Sequence, residues 1–360
     1  MSFPEKKRKT ATKKPLLKTS LTLQSTPNPS LPLPDDLLLS CFARVSRLYY
    51  PTLSLVSKSL RSLITSAELY KTRSLLNREE RCLYVCLKLP SDSNPRWFTL
   101  CRKPNHPRKI KNKTSGNVLV PVPFPQSSHP THATSFVAVG SDIYEIGGLI
   151  NGRPSPNVSV LDCRSLSRNQ APNMLKARKN PAAYVIDGKL CVDGDSIDSV
   201  SSNYKEVFDP KTQTWKPEDR PPFAIDLKEC THKGNILRIC RHGTSFSGCL
   251  IDNVYMWYGY RQFEWYDAKE LKWKILKGME GQLPKFTKYC NVQLANYGGK
   301  MAVLWDKHDR SSNDKGRVIW CAEIALERCS EEISGKVEWF GPVLKVPKLF
   351  KFICVLAPTL

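Results

Sequence analysis

The residues with the clearest chemical potential are two Cys-x-His pairs, Cys230 with His232 and Cys240 with His242. Thiolate and imidazole are the usual ligands of tetrahedral zinc, but this spacing matches no finger class, and two strands produce the same alternation. Cys82 and Cys86 have no histidine cluster beside them. A Gly-rich phosphate loop, a nucleophile elbow and a paired-carboxylate constellation are all missing from the sequence. On these grounds no catalytic residue, no metal ligand and no cofactor is assigned.

Charge is the next source of chemistry. Lys and Arg total 55 against 33 Asp and Glu, a net of +22, so acidic partners are favoured. From Ser93 to Ser141 there is no acidic residue, while Arg96, Arg102, Lys103, Arg108, Lys109, Lys111 and Lys113 are basic. Such a run can contact phosphates, but aromatic residues are not interleaved through it as single-strand binders need, and a solvated loop is the competing reading. Near the start, Lys6, Lys7, Arg8 and Lys9 precede Lys13 and Lys14. Two readings stay open there: a nuclear-import signal read as point charges, or a solvated tail.

Compartment and class follow from what remains. The 13 cysteines are odd in number and the N-terminus is basic instead of apolar, so a reducing, intracellular setting is expected. No apolar run approaches the ~20 residues that span a bilayer, and no membrane partner is expected.

These side chains must be held by something, and the chain divides into three segments. Residues 1–30, rich in Lys, Thr, Ser and Pro, are expected to be a disordered basic tail. In residues 31–77, Pro34 precedes Asp35 and Asp36, and Leu37, Leu38, Cys41, Phe42 and Val45 follow at the spacing of a helical stripe. Pro51 opens a second short helix carrying Leu53, Leu55 and Val56; Leu60, Leu63 and Ile64 continue a helical face. Ser66 caps a last helix with Leu69, Leu75 and Leu76. A bundle this small needs a partner. From residue 82 to 360, short runs rich in Val, Ile, Tyr, Phe and Trp alternate with Gly, Pro, Asn and Asp, the pattern of an all-β region. Expected strands include Leu83–Leu87, Phe136–Val139, Ile143–Ile146, Val158–Leu161, Ala182–Ile186 and Lys189–Val192, with a long exposed loop over Arg102–Val122.

Self-similarity decides the architecture of that region. Asp162, Asp209 and Asp267 each end a β-like run, and six residues later stand Arg168, Trp215 and Trp273. Upstream of each lies a strand ending near glycine, at Gly147–Gly148, Asp193-Gly194 and Tyr258-Gly259. A repeat of roughly 45–50 residues with four short strands is the β-propeller pattern, and the region has room for about six blades.

Residues 144–215, with Gly147–Gly148, Asp162, Met174 and Arg178, resemble kelch repeats. Residues 31–76, with Leu33-Pro34-Asp35-Asp36-Leu37, Leu53-Ser54-Leu55-Val56 and Arg61-Ser62-Leu63-Ile64, resemble an F-box. In this order the two are similar to the F-box/kelch-repeat proteins abundant in plants. Arg168 departs from the expected Trp, and Leu60 stands where many relatives carry Trp.

The resemblance implies a mainly β fold, a kelch-type propeller preceded by a small all-α F-box bundle. It also implies a substrate-recognition subunit of an SCF-type (Skp–cullin–F-box) ubiquitin ligase that is not itself an enzyme. Leu33, Pro34, Leu37, Leu38, Leu53, Val56 and Leu60 would then divide between the bundle core and the face met by a Skp-type adaptor, and through it a cullin. Gly147, Gly148, Asp162, Asp209, Trp215, Asp267 and Trp273 would be structural. The client would dock on the propeller, near strand-end residues such as Trp257, Tyr260, Arg261, Trp305 and Lys307, each of which blade packing also explains. Residues 78–360 hold 42 basic and 29 acidic side chains, a net of +13 that favours an acidic client. Kelch-type copper oxidases need a Tyr/Cys/His set for which no motif is found. The alternatives are a basic propeller that binds nucleic acid or chromatin, and an F-box scaffold acting outside the ligase.

Overall fold

The computed structural model describes residues 33–102, 116–127, 131–193, 205–218, 248–252, 254–259, 261–267, 269–270, 272–286, 291–309, 316–329 and 331–360. The N-terminal tail therefore lies outside the described residues.

The helical segment forms because each short helix has its start fixed. Asp35 and Asp36 occupy the first turn of α1 (Asp35–Ala43), where carboxylates oppose the positive end of the helix dipole. A 3₁₀ turn over Arg47–Tyr49 leads into α2 (Tyr50–Leu53), which has proline at its start. Hydroxyls of Ser57 and Ser66 accept from the amides of Leu60 and Leu69 at 3.1 and 3.2 Å, capping α3 (Lys58–Ile64) and α4 (Ala67–Leu75). Ala43, Tyr50, Ile64 and Leu69 form the shared core. Two expectations are corrected here. Helix α2 is a single turn, so Leu55 and Val56 fall past its end; and Leu75 points outward, because α4 buries Leu69, Tyr70 and Arg73 instead.

The rest is built from four-stranded antiparallel blades. Blade one contains β1 (Tyr84–Lys88), β2 (Arg96–Arg102) and β3 (Asn117–Val122). Then come β4 (Thr131–His132), β5 (Ser135–Val139), β6 (Asp142–Ile146), β7 (Leu149–Ile150), β8 (Arg153–Pro154), β9 (Val158–Asp162) and β10 (Ser167–Ala171). Of these, β5, β6, β9 and β10 make blade two, and β4, β7 and β8 a small accessory sheet. Blade three is β11 (Ala182–Ile186), β12 (Lys189–Asp193), β13 (Lys205–Asp209) and β14 (Thr214–Glu218). Blade four is β15 (Gly248–Ile251), β16 (Val254–Gly259), β17 (Gln262–Asp267) and β18 (Lys272–Ile275). Blade five is β19 (Gln293–Tyr297), β20 (Lys300–His308), β21 (Arg317–Cys329) and β22 (Glu332–Val346). The last strand, β23 (Lys351–Leu356), returns to pair with β1 and completes blade one.

Among the described residues, apolar clusters join four pairs of successive blades. Leu87, Leu100, Leu304, Ile319 and Val355 join blade five to blade one; Tyr84, Trp97, Ile143 and Leu161 join one to two. Ile146, Val158, Leu190 and Phe208 join two to three, and Met256, Trp265, Val303 and Ile324 join four to five. A blade alone cannot cover both faces, so this radial stacking is what stabilises it.

Five blades stand among the described residues, against the roughly six expected from dividing the region by a uniform repeat length. Blade five consumes more chain than its neighbours, with strands of 9, 13 and 15 residues. The expected exposed loop is also corrected, since its end is strand β3, in which Asn117 and Leu119 are buried. Pro121 is tolerated there because β3 is the outer edge of its sheet and one amide is not needed.

Candidate functional site

The repeat signals have a common geometry. Asp162, Asp209 and Asp267 are the last residues of β9, β13 and β17. Each carboxylate accepts the backbone N–H two residues on, from Arg164 (2.8 Å), Lys211 (2.9 Å) and Lys269 (2.9 Å), closing the hairpin as an Asx turn. The strand pairs then repeat in register: Leu161 opposite Arg168, Phe208 opposite Trp215, Tyr266 opposite Trp273.

Arg168 proves to be a substitute for tryptophan. The Trp215 indole donates to the carbonyl of Pro172 at 2.8 Å, and the Arg168 Nε donates to the carbonyl of Pro125 at 2.8 Å, both 43 residues upstream. Each ties an outer strand to the connector before its own blade. Arg168 also pairs with Glu145, whereas Trp215 packs its ring 5.0 Å from Phe208. Trp273 packs within its own blade, against Tyr255, Trp257 and Tyr266.

Gly147 and Gly148 turn the chain with φ of +59° and +93°. A Cβ on Gly147 would lie 3.0 Å from Met174 and 3.1 Å from the Arg178 carbonyl, so only glycine seats the strand end there. The connector so placed carries Arg178, which pairs at 3.1 Å with Glu206; both are fully buried. Gly259 serves a different end: a Cβ would overlap the Trp257 ring. Gly194 lies outside the described residues.

In the helical segment the seven residues expected to serve core and docking divide plainly. Leu38 and Leu60 are buried, and Leu53 packs against the core. Leu33, Pro34 and Leu37, around the start of α1, are exposed, as is Val56 beyond α2. Leu55 is 77% exposed, and Tyr49 is also exposed. The sequence places Leu55 on the second helix and gives Tyr49 no role; Leu55 instead lies in the turn after α2 and Tyr49 in the 3₁₀ turn before it.

One buried side chain ties this bundle to the segment that leads into the propeller. Arg73 donates to the carbonyls of Ala43 (3.2 Å), Val45 (2.8 Å) and Arg78 (2.6 Å) and to the Tyr50 hydroxyl (3.0 Å), and pairs with Glu80 at 3.3 Å. Glu80 also accepts from the Arg47 amide at 2.9 Å and the Ser46 hydroxyl at 3.2 Å. The main chain of Glu80 exchanges two hydrogen bonds of 2.7 Å with Leu360, beside blade one.

On the propeller, Trp257 and Trp305 are buried in blade packing, and Arg261 is exposed. Lys307 stands 4.5 Å from the Trp320 ring centre. Tyr260 lies outside the described residues. Of the basic run, Arg96 pairs with Asp92 at 2.6 Å and Arg102 donates to Asn117 at 3.1 Å. The other five members lie outside the described residues, as do the two Cys-x-His pairs and the basic clusters at 6–9 and 13–14. Among the described residues no three metal-ligating side chains gather, and no helix is long and apolar enough to cross a membrane. Burial pushes the thiols of Cys82, Cys86 and Cys163 up, and that of Cys101 to about 12, so these are not activated nucleophiles.

Comparison with known proteins agrees with this anatomy. The F-box domain model matches residues 31–72, and the model described as "FKB95, Kelch-repeats domain" matches residues 97–238 and 222–344. One F-box/kelch-repeat protein of Arabidopsis thaliana is 49% identical over 403 positions, covering all of both chains. A second from the same plant is 47% identical over 369 positions, covering 95% of this chain and 97% of its own. A third is 47% identical over 395 positions, again end to end on both chains. An F-box joined to kelch repeats implies, in general, the role of an SCF substrate adaptor, and such proteins are typically non-catalytic. With both segments matched in order and relatives aligned along the whole length, the chain belongs to the plant F-box/kelch-repeat family.

Proposed function

We propose that this chain is the substrate-recognition subunit of an SCF-type ubiquitin ligase. Its F-box docks on a Skp-type adaptor, which links it to a cullin, and its propeller holds the client. The observation that supports this most is the set of apolar F-box side chains left out of their own core: Leu33 is 49% exposed, Leu37 53% and Val56 69%. Exposed apolar groups of this kind are the usual mark of a partner surface. In this reading Leu38, Leu53 and Leu60 hold the bundle, while Leu33, Pro34, Leu37 and Val56 meet the adaptor.

The test is a pull-down of purified Skp-type adaptor by the full chain and by a Leu33→Ala, Pro34→Ala, Leu37→Ala variant. Because all three side chains are exposed, the variant should keep the wild-type melting temperature and lose the adaptor. Retention of adaptor by the folded variant, or failure of the wild type to bind, would sink the proposal.

A further inference from the structure

Blade five has an unusual end. Its inner strand β19 begins pairing at Gln293 opposite Leu304, yet β20, β21 and β22 continue together through the rows that carry Trp305 to His308. Across those rows Trp305 faces Trp320 and then Pro342, and Lys307 faces Val318 and then Lys345. Alternation puts Trp305 and Lys307 on one face of the sheet. There the Trp305 and Trp320 rings stack at 6.2 Å and 24°, and Phe286, from the connector after blade four, closes to 5.1 Å from Trp305.

Above this aromatic floor lies a cleft of about 940 Å³, at the upper end of the range of ligand pockets. Its apolar lining includes Phe286, Trp320, Val318 and Pro342, and Lys285, Lys307 and Lys345 supply its cations. Lys307 lies over both indoles, 4.5 Å from one ring centre and 6.0 Å from the other, a cation–π arrangement that fixes its position. Two carboxylates share the lining. Asp306 pairs with Arg317 and accepts the Asn291 amide at 3.0 Å, and Asp309 pairs with Lys345 at 3.0 Å. The lining holds three lysines to two aspartates, and Arg317, outside it, neutralises Asp306.

We infer that this cleft is where the propeller takes its client, and that the client segment is extended and acidic, with apolar or aromatic side chains between its carboxylates. The apolar side chains would lie on the Trp320, Val318 and Pro342 floor. The carboxylates would meet Lys285, Lys307 and Lys345 at the rim, beside a floor that holds water away and strengthens each ion pair. A basic segment would meet like charge, which excludes it. The inference rests on the reading that the propeller is the client-binding module.

The experiment is selection of phage-displayed 12-residue random peptides on the full-length chain, followed by affinity measurement with the enriched peptides. The expected pool is rich in Asp and Glu with interspersed apolar residues. Its members should lose at least tenfold in affinity on Lys307→Glu, on Lys285→Glu and on Trp320→Ala, and should weaken as salt rises. The lysine variants should keep the wild-type melting temperature and adaptor pull-down, which separates lost binding from lost fold. A pool with no acidic preference, an acidic pool indifferent to the lysine variants, or no enriched pool at all would overturn the assignment. An acidic pool bound elsewhere on the propeller removes this cleft and leaves the client-receptor reading standing. Failure of the adaptor pull-down removes the ligase reading and leaves peptide binding in the cleft to be judged by its own variants.

Discussion

At the scale of single residues, the hairpin aspartates show how one side chain specifies a repeat. A carboxylate at the end of the third strand accepts the amide two residues on, which shapes the turn and sets the register of the outer strand. The same contacts hold these carboxyls below their ordinary range. For Asp162, burial pulls upward but is outweighed by the Arg164 amide and the Ser165 hydroxyl; for Asp209 the Lys211 amide leads, and for Asp267 the Lys274 ammonium. A depressed folded pKa gives stability that is present above the unfolded value of about 3.9 and is lost as pH falls through the folded value. Replacing all three by Asn keeps an acceptor for the turn and removes the charge. The melting temperature of the wild type should therefore fall more steeply below about pH 5 than that of Asp162→Asn, Asp209→Asn, Asp267→Asn. Parallel pH profiles of the two proteins would show that the charge, as distinct from the hydrogen bond, is idle.

At the scale of elements, Arg73 ties the helices to one another and to the segment that leads into β1. Helix α4 buries a guanidinium that serves three carbonyls, one hydroxyl and the Glu80 carboxylate, so α1, α4 and the strand-like lead into β1 are held by one group. Arg73→Met fills much of the volume but strands those acceptors, and it should cost about 3 kcal/mol in urea denaturation. An unchanged midpoint would mean that water or neighbouring donors replace the guanidinium. This role could not be read from the sequence, because an arginine in a short helix looks like a solvated face until its partners, 28 to 30 residues upstream, are folded onto it. The blades were easier. Runs such as Ala182–Ile186 and Lys189–Val192 are bounded by turn residues, and their strands begin at the residues expected. Strand β3 escaped notice because Pro121 mimics a loop signal; spacing aligns Arg168 with Trp215, but that the two make the same hydrogen bond shows only through Pro125 and Pro172. In the F-box, buried and exposed leucines share one spacing, so only the folded structure separates Leu38 from Leu37.

At the scale of the whole molecule, ring closure and bundle seating meet at the same place. The last strand β23 pairs with β1 from Lys351 to Leu356, and the final residues then run back beside the lead into β1. Thr359 donates to Gly140 of blade two at 2.8 Å, and Leu360 exchanges its two hydrogen bonds with Glu80, the partner of Arg73. The C-terminus thus holds the ring shut and anchors the helices at once, and a bundle of this size has too little core to persist unaided. Spectroscopy separates the two parts, because all eight tryptophans fall between Trp97 and Trp339, in the propeller. In the wild-type chain, tryptophan fluorescence and helical circular dichroism should therefore report one coincident thermal transition. Removing residues 357–360 keeps β23 but takes away the Glu80 clasp, so the helical signal should melt first and the fluorescence transition should follow near its wild-type temperature. Removing residues 351–360 exposes the edge of β1 and opens the ring, so the cooperative fluorescence transition should be lost altogether. If the two signals already separate in the intact chain, neither the clasp nor the apolar cluster that holds Tyr70, Tyr84 and Leu360 couples the two parts.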